Sequence, residues 1–323
     1  MTIHKSVLLK ETIELLNIKE GDIVVDATLG GGGHGREIIK LIGDKGIYVG
    51  IDQDENAIKN FAQFPISNFQ FPNNFQIPIF KFQNVILING NFSELKNYLE
   101  ILEIEKVDAI LADLGWSSDQ VASKEHGMSF QIEAPLDMRY DRSQELTAKK
   151  IVNEYSPHNL EKIIKDYGEE RFAKNIAKRI VEYRKKHTIE TTAQLADIIT
   201  NAIPPQNRYG KTDPATRTFQ ALRIETNREL ENLEKFVPEA IDALETEGRL
   251  GIITFHSLED RIVKSIFREN ARGCICPNDF PQCVCGKKPK VAIITKKPVT
   301  SSEDEVEENP RARSAKLRVC EKK

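Results

Sequence analysis

The sequence predicts an α/β fold, a doubly wound and mainly parallel sheet whose chain is interrupted by a helical insertion. Three observations predict it. The β-branched run Ile23-Val24-Val25 leads straight into Asp26-Ala27-Thr28-Leu29-Gly30-Gly31-Gly32-Gly33-His34-Gly35, so a strand, a glycine turn and a helix start follow one another. A second apolar run, Ile47 to Ile51, ends at an acid, Asp52, about twenty residues beyond the turn. From Thr147 to Ile203 the apolar residues recur at helical spacing, with Phe172, Ile176 and Ile180 beside Ala173, Ala177 and Val181.

The elements follow in order. His4-Lys5-Ser6-Val7-Leu8-Leu9-Lys10-Glu11 reads as an arm into a short amphipathic helix reaching Leu16. After the glycine turn a helix is expected from Arg36 to Ile42, then the second strand, then a helix over Asn56 to Phe61. Between Phe61 and Phe82 lie seven of the fifteen phenylalanines with three prolines and no steady period, which reads as an inserted loop packed on the domain's flank or exposed for stacking. Val85 to Ile88 and Val107 to Ala112 are the third and fourth strands. Gly127 to Asp141 is polar loop, and Thr147 to Ile203 is the helical insertion. Pro214 to Arg223 leads back through a helix, and Leu250 to Phe255 is the fifth strand. Val291 to Thr295 is a sixth strand, the acidic run Glu303 to Glu308 a solvated loop, and the stretch ending at Val319 a final edge strand. The expected division is a sheet domain in two pieces, 1–134 and 213–323, around a helical domain at 135–212.

The composition suits a globular chain: 323 residues with 40% hydrophobic content can bury a real core. The start lacks a long apolar segment and no run approaches membrane-span length, so a cytoplasmic protein with no membrane partner is expected. The net charge of -3 conceals an asymmetry, because Arg139 to Arg228 is net basic and the remainder acidic. A polyanion would dock on that middle third, where Arg171, Lys174, Lys178 and Lys185 share a helix face.

Chemistry converges on the carboxyl ends of the predicted strands, where open parallel sheets bind ligands. Glycines let the turn backbone approach a ligand, and the helix behind it offers free N–H groups to an anion. Gly30, Gly32 and Gly35 satisfy the dinucleotide fingerprint, which alone does not separate a nicotinamide cofactor from S-adenosylmethionine, since both present a ribose diol to an acid such as Asp52. Asp113 ends the fourth strand, placed to hold an amine or to cap a helix, and Phe92 follows the third, placed to cover an adenine ring or to pack in the core. His256 ends the fifth strand beside Ser257 and Asp260, which have capping-box spacing, so it is either an active-site group or a cap. Two Cys-x-Cys pairs, Cys274 with Cys276 and Cys283 with Cys285, can hold a tetrahedral zinc ion. Their spacing is tighter than the usual Cys-x-x-Cys, and reduced thiols are normal in the cytosol, so no metal is the expectation.

Eight motifs in order make the chain resemble, over nearly its whole length, the bacterial small-subunit ribosomal RNA methyltransferase H family. They are the His4 to Leu9 arm, the Asp26 to His34 turn, Asp113-Leu114-Gly115 with Ser117-Ser118, Pro135-Leu136-Asp137-Met138-Arg139, Tyr167-Gly168-Glu169-Glu170, Pro214 to Arg223, Phe255 to Arg261, and Asn309 to Ser314. The resemblance implies a Rossmann-like class I fold dependent on S-adenosylmethionine, with an inserted α-helical domain. It implies N4-methylation of a cytidine in the decoding region of 16S ribosomal RNA, with the small ribosomal subunit as partner and no role for DNA. Cofactor contacts are implied at Gly32, Gly33, His34, Asp52, Phe92, Asp113 and Gln120. Asp113, Asp137 and His256 are the expected catalytic groups, Asp113 holding the amine and His256 relaying its proton or orienting the base. Trp116 is the expected stacking partner of the extruded base, with core packing as its other reading. Arg139, Lys174, Lys178, Arg217 and Arg223 are the expected RNA contacts. The alternatives are a nicotinamide-dependent oxidoreductase and a ribosome-assembly factor that binds RNA without turnover.

Overall fold

The computed structural model describes residues 6–62, 79–115, 126–208, 213–274, 276, 282 and 284–323. By its internal contacts the chain forms two compact units, 1–115 with 230–323, and 116–229.

The first unit is an eight-stranded sheet of order β3-β4-β2-β1-β5-β6-β8-β7. Its strands are β1 (Ile23–Asp26), β2 (Ile47–Asp52), β3 (Ile79–Phe82), β4 (Val85–Asn89), β5 (Val107–Asp113), β6 (Leu244–Thr254), β7 (Val291–Ile293) and β8 (Lys316–Lys322). From β4 through β2, β1 and β5 to β6 all neighbours are parallel, while β3, β8 and β7 pair antiparallel. The central strands are apolar on both faces because helices cover both. Successive residues serve opposite layers: Val24 and Leu111 pack with α1 (Leu9–Leu16), α2 (Gly33–Ile42) and α3 (Glu55–Ala62). Val25 and Ile110 pack on the other face with α4 (Leu95–Ile101), the helix Glu229–Ala243 and the helix Ser257–Ala271. The chain winds outward from β1 to β4, then returns to β5, which puts a topological switch point between β1 and β5.

The second unit holds α5 (Ala148–Glu154), α6 (Pro157–Asp166), α7 (Ala173–Arg184), α8 (Thr192–Ala202) and α9 (Thr216–Asn227). Thr147, Ser156 and Thr191 cap three of these helices with side-chain oxygens, so the local sequence states where each begins. The helices Glu229–Ala243, Ser257–Ala271 and Glu303–Glu308 complete the series as α10, α11 and α12.

Five expectations need correction. The unit boundaries fall at 115 and 229, outside the expected 134 and 212, because Met128, Leu136 and Met138 from the polar loop and Phe219 and Leu222 from α9 are buried in the helical core. Ile79–Phe82, expected within a loop, is an edge strand whose alternation spans too few residues to register; the insertion's 63–78 lie outside the described residues. β6 begins six residues before Leu250, since buried Leu244 pairs with Val107 while the exposed, polar Glu245, Thr246 and Glu247 form an irregularity before the ladder resumes at Arg249. The acidic run is α12, begun by Ser302, which accepts from the Glu305 N–H at 3.1 Å, with three acids facing the helix's positive end. Glu305 in turn accepts from the Leu8 N–H at 2.8 Å and pins the N-terminal arm. β8 is not an edge strand, because β7 pairs outside it.

Candidate cofactor site and catalytic carboxylate

Three adjacent strands, β2, β1 and β5, each end in an aspartate: Asp52, Asp26 and Asp113. Asp26 is level with Gly50 and Leu111, so Asp52 and Asp113 stand two residues further along on either side. The turn after β1 extends both ladders, the Ala27 N–H donating to the Leu111 carbonyl (2.8 Å) and the Leu29 N–H to that of Ile51 (2.9 Å). Gly30 and Gly32 then take φ of 50° and 71°, the left-handed conformation that lets α2 start at once. At Gly32 an added Cβ would also strike the Phe61 ring, at Gly33 the Ser6 hydroxyl, and at Gly35 the Tyr48 hydroxyl. The protein's own packing therefore accounts for much of a glycine pattern expected to serve ligand approach.

The acids differ in how they are satisfied. Asp26 is 1% exposed and accepts from the Tyr48 hydroxyl (2.9 Å) and the Thr28 N–H (3.3 Å); burial pushes its carboxyl up to about 6 against those bonds. Asp52 accepts from the Gly30 N–H (2.7 Å) and the Asp54 N–H (2.8 Å), which fixes the turn to β2, and burial raises it too to about 6. Asp113 is placed by its backbone, its N–H donating to Thr28 Oγ1 at 2.5 Å. One of its carboxyl oxygens lies 3.6 Å from His34 Nδ1. The other, Oδ1, is buried and has no hydrogen-bond partner among the described residues. Burial first, then the charges of Asp26 and Glu259, push the Asp113 carboxyl up to about 8. Sequence reasoning missed Tyr48, Thr28 and Glu259, which look like ordinary strand, turn and helix residues until the fold sets them beside the acids.

Phe92 follows β4 and meets Phe236 edge-on, ring centroids 5.1 Å apart, at the margin of the core. His256 is the N-cap of α11: Nδ1 accepts from the Glu259 N–H (3.4 Å), while Glu259 accepts from the N–H groups of Phe255 (2.8 Å) and His256 (3.2 Å). The capping box is thus His256 with Glu259, not Ser257 with Asp260, because the helix starts one residue earlier than the spacing predicts. Asp260 is instead bound by Arg318 at 2.6 and 3.2 Å. The cap occupies Nδ1 of the ring expected to serve the chemistry.

Within the helical unit, Asp137 takes three hydrogen bonds from Arg139, from Nε (2.7 Å), a terminal nitrogen (2.8 Å) and the backbone N–H (3.1 Å). Burial would raise the Asp137 carboxyl, but these bonds outweigh it and hold it below the usual carboxylate range. Arg139 also donates to the carbonyls of Arg142 and Gln144, so it is a loop organiser and not an open cation for RNA. Arg223 is 7% exposed and bidentate to Glu229 at 2.8 Å on both arms, which removes it from any RNA surface. Arg217 is half-exposed and donates to the Glu169 carbonyl (3.1 Å), while Lys174, Lys178, Arg179, Lys185 and Lys186 are exposed on and just after α7. Trp116 and Gln120 lie outside the described residues, as does Cys283.

A doubly wound sheet with acids on its switch-point strands defines a Rossmann-like enzyme fold, and family membership makes it a methyltransferase. Residues 1–323 match the model of the MraW methylase family, and the chain belongs to that family. It is 50% identical over 320 residues to the ribosomal RNA small subunit methyltransferase H of Clostridium botulinum (strain Kyoto / Type A2), covering 99% of this chain and 98% of the relative. The same coverage holds for the enzyme of that name from Halothermothrix orenii at 50% identity, and for ribosomal RNA small subunit methyltransferase H 2 of Agathobacter rectalis at 51%. Family membership sets aside the nicotinamide-dependent alternative.

Proposed function

We propose that this protein transfers a methyl group from S-adenosylmethionine to the N4 amine of a cytidine in the decoding region of 16S ribosomal RNA, acting in the cytoplasm on the small ribosomal subunit. The observation that carries the reading is Asp113, a strand-end carboxyl with a buried oxygen that lacks a partner among the described residues, in a chain half-identical from end to end to small-subunit ribosomal RNA methyltransferases. Among the described residues no helix is long and apolar enough to cross a membrane.

The residues present fit the cofactor. Asp52 keeps acceptor capacity beyond its two backbone bonds for a ribose diol, and Phe92 stands just beyond the end of β4. Gly32, Gly33 and His34 open α2, whose N-cap carries no side-chain cap, and the positive end of a helix suits a carboxylate. When bound, the cofactor supplies an electrophilic methyl group on a sulfonium. The protein's share is to position the nucleophile and exclude water. Cytosine N4 is a weak nucleophile because its lone pair is delocalised into the ring, so an acceptor that orients its N–H bonds matters more than a strong base. Asp113 Oδ1 is that acceptor, and the methylated nitrogen, cationic and strongly acidic, gives its proton to solvent without a strong base. Asp137, held ionised by Arg139, suits accepting a hydrogen bond and not a proton. His256 serves through its cap.

The test is transfer of tritiated methyl from S-adenosylmethionine to small subunits isolated from a strain lacking the enzyme, with mass mapping of the product. One N4-methylated cytidine in 16S RNA is expected. Absence of incorporation would establish the non-catalytic assembly factor instead, and a mark on another atom would overturn the substrate assignment.

A further inference from the structure

Between α11 and β7 the chain brings three sulfur atoms together. Cys274 and Cys285 are separated by 11 positions, yet their Sγ atoms lie 3.8 Å apart. The sulfurs of Cys274, Cys276 and Cys285 all lie within 4.8 Å of one another. A disulfide would need a separation of about 2.05 Å. A tetrahedral metal with metal–sulfur bonds of about 2.3 Å has sulfur–sulfur edges of about 3.8 Å, the spacing of this pair. The Val284 N–H donates to Cys276 Sγ at 3.4 Å, a bond that favours the thiolate a metal requires. Gly286 follows at φ 60°, turning the chain back immediately after the last of these cysteines.

Burial does not hold this loop. Val284 is 74% exposed, and the described hydrogen bonds anchoring the returning chain to α11 are those of Lys287 Nζ to the Glu269 carbonyl (3.2 Å) and the Lys290 N–H to the Asn270 carbonyl (2.8 Å). We propose that Cys274, Cys276 and Cys285 together bind one zinc ion. The tight spacing that argued against a metal in the sequence applies to a knuckle built from one pair. Here the shortest described edge joins Cys274 of one pair to Cys285 of the other, and it closes the loop. The ion closes the loop between α11 and β7 as a structural staple, independent of methyl transfer, and binding releases the thiol protons to solvent.

Elemental analysis of the full-length protein, expressed with zinc and dialysed against metal-free buffer, should find about one zinc per chain. Cobalt exchanged into the site should give the visible bands of a tetrahedral ion and a sulfur-to-metal charge-transfer band. Cys274→Ser with Cys285→Ser should cut zinc content at least about fivefold, whereas Cys320→Ser, at a buried thiol of β8, should leave it unchanged. Should the double variant fail to fold, the wild-type protein carries the test: chelation should expose the loop to protease and zinc should restore protection. Wild-type protein without zinc, a Cys274–Cys285 disulfide in its intact mass, or unchanged zinc in the double variant would each overturn the proposal.

Discussion

Asp113 and Asp137 are both half-hidden aspartates, but one sits at the end of a sheet strand with a buried oxygen unanswered among the described residues, and the other takes three hydrogen bonds from a neighbouring arginine. The contrast extends to their surroundings. In the sheet unit Asp26, Asp52 and Asp113 are all pushed upward by burial, and among the described residues no lysine or arginine offsets it for Asp113. In the helical unit Asp137 has Arg139 and Glu229 has Arg223. A folded chain tolerates an unanswered carboxyl only at a cost of roughly 1–3 kcal/mol, more for a charged group, so such a group marks where a ligand completes the structure. Paired acids mark where the fold completes itself.

The largest expected effect tests that contrast. Asp113→Ala should lower methyl transfer by about a thousandfold, some 4 kcal/mol, with the melting temperature unchanged or raised. Asp137→Ala should cost activity mainly through lost order, tracking its melting temperature. Equal activity losses from the two variants, both on intact folds, would erase the distinction.

Next in size is the buried pair. Arg223→Ala leaves Glu229 in an enclosed site with the Tyr140 hydroxyl (3.1 Å) but without its guanidinium, and should destabilise the chain by about 3 kcal/mol. Denaturant unfolding measures it, and a change below about 1 kcal/mol would mean that solvent reaches Glu229 freely.

The pH dependence should run in opposite directions for the two aspartates. Asp113 has a folded value near 8, above its ordinary 3.8, so the native chain holds a proton that the unfolded chain releases, and stability falls as pH rises across that window. Asp113→Asn removes the slope and should stabilise the protein above pH 8 by on the order of 2 kcal/mol. Asp137 has a depressed value, so its contribution is present above 3.8 and lost as pH falls through the lower folded value. Asp137→Asn should therefore destabilise by about 1 kcal/mol at neutral pH. Chemical unfolding from about pH 2 to about pH 9 separates the two, and a wild-type excess over both Asn variants with the same pH profile would refute the assignment of opposite shifts.

These residues also show what the sequence could and could not convey. The sheet was legible because β1, β2, β4 and β5 are short apolar runs bounded by Asp or Gly, and apolar strands buried on both faces advertise themselves. β3 is an edge strand held by pairing to β4, and the start of β6 is a single buried leucine cut off from its strand by a polar irregularity, neither of which a local pattern reveals. The acids at the strand ends were legible by position, but their inequality was not, because a carboxyl's value depends on which distant groups surround it. Arg139 and Arg223 resembled open cations for the same reason: their partners are acids whose proximity the fold creates. His256 is a related case. Its cap is local, yet the choice between Ser257 and His256 as cap turned on a one-residue shift of the helix start. His256→Ala should cost about 1 kcal/mol, and His256→Asn, which preserves a capping oxygen, should restore most of it together with turnover. A turnover deficit in a fully stable Asn variant would return the ring to the chemistry.

The smallest effect on the fold concerns α7. Lys174 and Lys178 are exposed, and Lys178 lies 3.9 Å from Glu182 in a surface pair worth little to stability. Unlike Arg139 and Arg223, their ammonium groups are set in water, where a charge contributes to the fold only weakly but remains available to a phosphate. Lys174→Glu with Lys178→Glu should leave the melting temperature within a degree or two, yet weaken binding to small subunits severalfold at low salt. The slope of log affinity against log salt should also fall by about one to two, because every phosphate that is no longer neutralised keeps its counterion. If affinity dropped while the slope held, the helix would be acting through shape and not charge. If neither moved, the polyanion would meet the protein on another face, and the basic excess of the helical unit would be only its solvated surface.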